Sequence, residues 1–417
     1  MENLPQEITS NILSRLHFKQ TRKYRCVCKL WRIILSHPTF PTTHLAQLSK
    51  LSPDILLHFK AVSPLFGSRI YYLEDDETIL KRPIYPLTLA DEHFLADSFN
   101  DHYPYILGSC NGFICLFSPI VELNGGDPVF LIPRNPIYVF NPITRNYSKF
   151  PLFDIPEFHT RGWSDLRRDK WFSGFGYVDS KMEYKLVLVV FTGGNSLPQV
   201  FDNQVLVYTL GSTTWRKKVG IAPDVLRKSN EEIASPAFVN GSLHWITVNK
   251  SSSKQGPCIV FFNLDAEEFG FVPTFKSHLG KETYRYRPYQ LGIFEQYLSV
   301  VECSYNSYIS IWVMKKYNVK ESWVKQFSIK QGSAWCSCQT AKLIKVRNNG
   351  DLLLLIDNSY MVSYNTITGK RRLIQVAWEG KHRRYILKAQ TLVGSLISLK
   401  SAFGMDAETT TSMKRKR

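Results

Sequence analysis

The chain has 417 residues, 44% of them apolar and 13% aromatic, which is enough to bury a large core and excludes a disordered polypeptide. Its formal charge is +17, but the 52 Lys and Arg are scattered, with only short groups at 167–170, 381–384 and 414–417. Scatter of this kind reads as solvated faces that can meet an acidic protein surface, and nucleic acid is not the expected partner.

The opening Met-Glu-Asn-Leu-Pro-Gln-Glu has neither a basic start nor an apolar run, so no signal peptide is expected. The longest apolar runs, such as 352–356, are too short to cross a bilayer. The expected compartment is cytoplasm, nucleus or both, with no membrane partner. Eight Cys include no Cys-x-x-Cys, and neither Cys26/Cys28 nor Cys336/Cys338 has a His at zinc-finger spacing. Reduced, buried thiols are expected, with no metal and no cofactor.

Residues 4–35 read as helices. Leu4, Ile8, Ile12 and Leu16 recur every four positions with Leu13 beside them, giving one apolar stripe. Pro5 suits a first helical turn. The polar stretch 17–23 is expected to turn the chain. A second stripe follows in Tyr24, Val27, Cys28, Trp31, Ile34 and Leu35, stopped by His37-Pro38. About forty residues cannot shelter two such stripes internally, so something else must cover them.

The spacing Leu4-Pro5-x-x-Ile8-x-x-x-Ile12-Leu13-x-x-Leu16, then Arg25-Cys26-Val27-Cys28-Lys29-x-Trp31-Arg32, then Pro38-x-Phe40 and His44-Leu45, resembles an F-box. The resemblance implies a three-helix module over residues 1–45 that docks on the Skp-type adaptor of a cullin-RING ubiquitin ligase. By that match Leu4, Pro5, Ile8, Ile12, Leu13, Leu16, Val27, Cys28 and Trp31 face or support the adaptor. His17 stands where such modules usually have Pro, and Thr21 and Arg22 where they usually have Leu.

Residues 46–104 read as a connecting segment with first strands at 55–59 and 69–73 and an acidic loop at 74–77. Strand patterns then recur. Asn111-Gly112, Asn240-Gly241 and Asn349-Gly350 each sit between apolar runs as hairpin turns. Less typical turns precede 184–191 and 298–301, and each hairpin is followed by a second one. The turn positions Asn240, Glu295 and Asn349 are 55 and 54 residues apart, and Asn263, Met314 and Asn365 are 51 apart. A period near fifty with four strands per unit is the pattern of a β-propeller. Five units fit between about 105 and 376. The leftover C-terminal hairpin at 385–399 and the leftover strands at 55–59 and 69–73 can join as a sixth, composite blade that removes the open edges.

The same segments resemble the plant F-box-associated domain, of the type 1/3 kind. The resemblance rests on Gly108-Ser109-Cys110-Asn111-Gly112-x-x-Cys115-Leu116, Asn141-Pro142-x-Thr144-Arg145, Gly174-Phe175-Gly176-Tyr177, Val207-Tyr208 with Trp215-Arg216, Val239-Asn240-Gly241-x-Leu243-His244-Trp245, and Trp312-Val313-Met314-Lys315 with Glu321-Ser322-Trp323. S-locus F-box proteins are one branch of that family. The expected fold is therefore multidomain, α plus β: an F-box, then a kelch-like propeller of about six blades over 105–400, then a basic flexible tail over 401–417.

No G-x-S-x-G, H-E-x-x-H, P-loop or Rossmann glycine pattern is found, so no catalytic residue is named. His244 and Trp245 alternate on a strand and read as packing residues. Trp215, Trp312 and Trp323 read as fillers between blades. Lys414, Arg415, Lys416 and Arg417 read either as a nuclear import signal or as a charged terminus. The resulting expectation is a non-catalytic subunit of an SCF-type ubiquitin ligase that holds a target protein for ubiquitination. A nucleic-acid-binding propeller and a protein-interaction propeller outside any ligase are the alternatives.

Overall fold

The computed structural model describes residues 4–48, 53–61, 68–73, 105–117, 121–124, 127–130, 137–151, 170–192, 202–219, 221–227, 236–248, 256–276, 289–304, 308–331, 338–374, 384–403 and 408–409. The basic run at 414–417, the acidic stretch at 74–77 and Cys336 lie outside them.

Four helices come first: α1 (Gln6–Ser14), α2 (Phe18–Tyr24), α3 (Lys29–Ser36) and α4 (Phe40–Leu48). Pro5 opens α1, and its carbonyl accepts the Thr9 backbone N–H at 3.0 Å. His37, held extended by the proline that follows it, ends α3. The polar stretch expected to turn the chain is largely the helix α2, the polar second helix of the three that the resemblance implied, and the helix beyond those three is α4, past His37-Pro38. Polarity misleads here because only a narrow side of α2 needs covering. Phe18 and Thr21, three apart, are both buried, and the Thr21 hydroxyl donates to the Phe18 carbonyl at 2.7 Å.

The β-rich part repeats one unit. Blade 1 is built from Tyr105–Cys110, Phe113–Phe117, Ile137–Asn141 and Asn146–Lys149, with Glu408–Thr409 added at its outer edge. Blade 2 runs from Lys170–Val178 to Arg216–Val219, blade 3 from Ala237–Val239 to Glu268–Val272, blade 4 from Tyr289–Phe294 to Trp323–Lys330, and blade 5 from Ala341–Val346 to Arg371–Ile374. Each is a four-stranded antiparallel meander in chain order. Between them come short cores of aliphatic and aromatic side chains.

The sixth position is filled from both ends of the chain. Asp54–Ala61 pairs with Ser68–Leu73 on one side and with Arg384–Leu392 on the other. Alternate residues then serve different neighbours. Ile55 and Leu57, with Ala389, pack on blade 5 through Ile344, Leu353 and Met361. Leu56, with Leu392, packs on blade 1 through Ile106, Ile114 and Phe140. The composite closure expected from the leftover strands is therefore present, with one difference. Residues 393–398 are not a returning strand; they cross the end of blade 1 and lead into a short helix, Leu399–Phe403. Asn141 holds this crossing by donating from Nδ2 to the Ser395 and Ile397 carbonyls at 3.0 and 2.8 Å.

Turn chemistry follows the repeat. Asn111 and Gly112 both have positive φ, as do Asn240 and Gly241, which is what a two-residue type I′ hairpin demands. At 349–350 only Gly350 does, and its N–H closes on the Arg347 carbonyl at 2.9 Å, so this turn is longer than the sequence pattern suggests. A second device recurs at the end of the third strand of blades 1, 3 and 5. The side-chain oxygens of Asn141, Asn263 and Asn365 each accept two backbone N–H groups of the following turn. Trp215 and Trp323 open the fourth strands of blades 2 and 4. Their indole N–H groups reach the carbonyls of Pro151 and Pro273 on the preceding blade at 2.8 and 2.7 Å.

Candidate docking face on the helical bundle

Helix α1 carries two apolar faces, and they meet different surroundings. Leu13 is fully buried in a small core with Ile34, Leu35 and Phe40, against which Leu16, Tyr24, Leu30 and Trp31 pack. On the adjacent face Ile8 and Ile12, four residues apart, are 49% and 47% exposed. Leu4 and Pro5 continue that face and are also exposed.

The corner between α2 and α3 carries exposed apolar surface of its own. Val27 is 57% exposed, and Cys28 beside it is exposed. Cys28 is also the N-cap of α3, with its sulfur accepting the Trp31 backbone N–H at 3.5 Å. Trp31 is half-buried, edge-on to Tyr24 with ring centroids 5.5 Å apart. Arg25 fixes the corner by donating to the Leu35 carbonyl at 2.9 Å.

Of the expected docking residues, Leu4, Pro5, Ile8, Ile12, Val27 and Cys28 are thus presented to solvent. Leu16 and Trp31 support them from partly buried positions, and Leu13 belongs to the bundle interior. Ile33, 61% exposed on α3, was not marked by the sequence pattern. It falls one step outside the stripe formed by Trp31, Ile34 and Leu35. Exposed Cys26 and Cys28 also correct the expectation of uniformly buried thiols, which fits Cys110, Cys115, Cys303 and Cys338.

The opposite side of the bundle is occupied by the chain itself. A Cβ on Gly394 would come within 2.2 Å of the Phe18 ring, so glycine there lets α2 lie directly on the C-terminal crossing. Leu396 packs onto the bundle core, and His17 Nε2 lies 3.2 Å from the Asp54 carboxylate at the start of the composite sheet. His17 and Thr21, which depart from the family pattern, therefore sit on the side that meets the β-domain or the bundle interior. His44 is buried and donates from Nε2 to the Leu16 carbonyl at 2.8 Å, tying α4 to the end of α1. Burial lowers its basicity, the Leu16 bond opposes that, and nearby His17 adds to it.

Charge adds a second property. Glu7 is the one carboxylate side chain between residues 4 and 48, against Arg15, Lys19, Arg22, Lys23, Arg25, Lys29 and Arg32. Arg15, Lys23, Arg25, Lys29 and Arg32 are exposed, and a bundle this cationic suits an acidic partner.

The two Trp-His and Trp-rich motifs are structural. His244 and Trp245 are both fully buried, because neighbouring blades cover both faces of this strand. His244 donates from Nδ1 to the Ala237 carbonyl at 3.1 Å and accepts the Tyr317 hydroxyl at Nε2, 2.9 Å away. Burial pushes its pKa down to about 4. No helix among the described residues is long and apolar enough to cross a membrane.

Comparison with known proteins gives the same two parts. Residues 1–43 match the F-box domain, and residues 97–399 match the F-box associated beta propeller domain. The F-box protein At3g07870 of Arabidopsis thaliana is 27% identical over 89% of this chain and 87% of its own length. The F-box protein CPR1 of the same plant is 22% identical over 90% of this chain and 85% of its own. The Arabidopsis F-box/kelch-repeat protein At3g23880 is 25% identical over 78% of this chain and 79% of its own.

Proposed function

The chain belongs to the F-box-associated β-propeller family and carries an F-box at its N-terminus, and from that membership we propose that it is the substrate-recognition subunit of an SCF-type ubiquitin ligase. In this reading the bundle at 1–45 binds a Skp-type adaptor, and through it the cullin-RING machinery. The β-domain at 105–400 holds a target protein. The chain itself catalyses nothing. Its contribution is to bring a target lysine to the ubiquitin-loaded partner, which is a matter of proximity and orientation.

The observation that carries the reading is the ridge of Leu4, Pro5, Ile8, Ile12 and Val27, which stays exposed although the bundle's other side is packed on the β-domain. Exposed apolar surface of this kind marks a docking site. Each such aliphatic anchor contributes on the order of 1.5–3 kcal/mol when covered, so four or five exceed the several kcal/mol that association costs.

The contact between bundle and propeller gives the reading a mechanical consequence. Phe18 on Gly394, Leu396 on the bundle core and His17 beside Asp54 fix the bundle against one end of the ring. A target on the propeller is then presented at a set distance from the adaptor. Cytoplasm and nucleus are the proposed sites of action, with Lys414, Arg415, Lys416 and Arg417 as the import signal.

Changing Leu4, Pro5 and Ile8 together to Ala should abolish co-purification of the adaptor while the β-domain melts as before. Unchanged co-purification would defeat the proposal.

A further inference from the structure

Two cysteines from adjoining blades meet in the core between blades 4 and 5. Cys303 ends the second strand of blade 4 (Tyr297–Cys303), and Cys338 stands just ahead of the first strand of blade 5. Their sulfurs lie 3.4 Å apart, and Cys303 Sγ is also 3.3 Å from the Cys338 carbonyl oxygen. Each residue is only 2% exposed, and both are free thiols.

The backbone on each side imposes this contact. Cys303 is held in register opposite Ile309 on the next strand of its blade. Past Cys338, one carboxylate oxygen of Asp357 accepts the backbone N–H groups of Gln339 and Thr340, both at 2.8 Å, and the Asp357 N–H returns to the Thr340 carbonyl at 2.9 Å. Gln331, just past the fourth strand of blade 4, closes the site from a third side. Its Nε2 donates to the Ser304 carbonyl at 3.0 Å and reaches Cys303 Sγ at 3.6 Å, while its buried Oε1 has no partner. A disulfide needs an S–S distance of about 2.05 Å, so sulfurs 3.4 Å apart have only about 1.4 Å left to close. Held this way, the two thiols meet at an effective concentration that separate thiols in solution do not reach.

We infer that Cys303 and Cys338 are an oxidation site: a peroxide converts them to a disulfide that staples blade 4 to blade 5, and a thiol reductant reopens it. In the first step one thiol gives up its proton and attacks a peroxide oxygen. The O–O bond breaks, the sulfur becomes a sulfenic acid and the other oxygen leaves as water. In the second step the neighbouring thiol attacks the sulfenic sulfur, the S–S bond forms and a second water leaves. The two sulfurs give up two electrons and the peroxide bond takes them. Reduction runs by thiol exchange, with two reductant thiols becoming a disulfide. Contact with Cys303 and then burial push the Cys338 thiol up. The reduced pair is therefore the resting state, and the oxidant must be small enough to enter the core. This goes beyond the ligase reading and does not depend on it; what it adds is a ring that oxidation tightens.

The test uses the full chain, reduced and then treated with hydrogen peroxide near neutral pH. Remaining thiols are alkylated, and tryptic peptides are read by mass spectrometry before and after dithiothreitol. Cys336 shares the tryptic peptide of Cys338, so fragment ions and Cys336→Ser assign the partner. A 303–338 disulfide should form in the unaltered chain and in Cys336→Ser, and should be lost in Cys303→Ser and Cys338→Ser. It should raise the melting temperature by about 5 °C, a shift that dithiothreitol reverses and that neither of those two variants shows. Cys303→Ala and Cys338→Ala replace the serine variants if a buried hydroxyl unfolds the core. Four results would overturn the inference and leave the pair as packing. They are free Cys303 and Cys338 at a peroxide concentration that fully oxidises the exposed Cys26 and Cys28, a link from Cys303 to Cys336 instead, a 303–338 link that forms only in urea, and a link without a melting shift.

Discussion

Helix α1 and the strand Asp54–Ala61 are similar in composition and opposite in fate. Each is a short run with aliphatic residues closely spaced. In the strand, Ile55, Leu56 and Leu57 are all buried, because alternate side chains face blade 5 and blade 1. In the helix, Leu13 is buried while its neighbour Ile12 is half-exposed. A ring needs every apolar side chain between its blades to close without an open edge. A bundle of four short helices has room inside for only one of the faces that α1 offers. Apolar pattern alone therefore locates surfaces that must be covered; topology decides whether the covering comes from within.

The sharpest way to break this contrast is to remove a methylene-rich side chain from each buried site. Leu56→Ala and Leu13→Ala should each cost about 2–5 kcal/mol, the range for large-to-small changes in well-packed interiors. Urea unfolding followed by circular dichroism measures both. A cost below about 1 kcal/mol at Leu56 would mean that the composite sheet does not close the ring.

Next in size is a pH effect that exists only if the β-domain is sealed around its own polar groups. His244 is buried and neutral, with a pKa pushed down to about 4 against an ordinary 6.5. The unfolded chain takes up a proton near pH 6.5 and the folded chain resists until about pH 4. Stability is therefore fully present above pH 6.5 and is lost as pH falls through that window, by about 3 kcal/mol at most. His244→Gln should flatten the dependence between pH 7.5 and pH 4.5. An unchanged slope would place the responsible group elsewhere.

Ile12→Ala tests the outward face. It should leave the urea midpoint nearly unchanged, since exposed substitutions typically fall within about 0.5 kcal/mol, and weaken adaptor binding by roughly tenfold to a hundredfold. Isothermal titration with the purified adaptor measures this. Adjacent Leu13 should show the reverse balance, and a similar binding loss without destabilisation there would merge the two faces.

Much of this was readable in advance, for particular reasons. The ring was legible because Asn-Gly pairs and strand-ending Asn residues recur at nearly fixed intervals, and because two orphan strand segments at opposite ends could only hide their edges together. Helix α2 was legible only as a polar member of the family's bundle: Tyr24 at its end packs on Trp31, but Phe18 at its start lies against Gly394, nearly four hundred residues away. The direction of Leu13 depends on where α3 and α4 lie, which helical spacing on α1 cannot reveal.

The smallest expected effect separates two roles for Cys28. The family pattern places it at or near the adaptor, whereas the geometry makes it the N-cap of α3, with sulfur as a weak acceptor for the Trp31 N–H at 3.5 Å. Serine is a better cap than cysteine, because its oxygen accepts more strongly and at shorter range. Cys28→Ser should therefore hold or raise the stability of the bundle, by up to about 1 kcal/mol, and Cys28→Ala should lower it by about 0.5 kcal/mol. If the sulfur instead contributes apolar surface to the interface, both changes weaken adaptor binding to a similar degree and leave stability alone. Thermal melting and adaptor titration of the same two proteins distinguish the cases, since capping orders the variants Ser, Cys, Ala in stability and an interface contact does not.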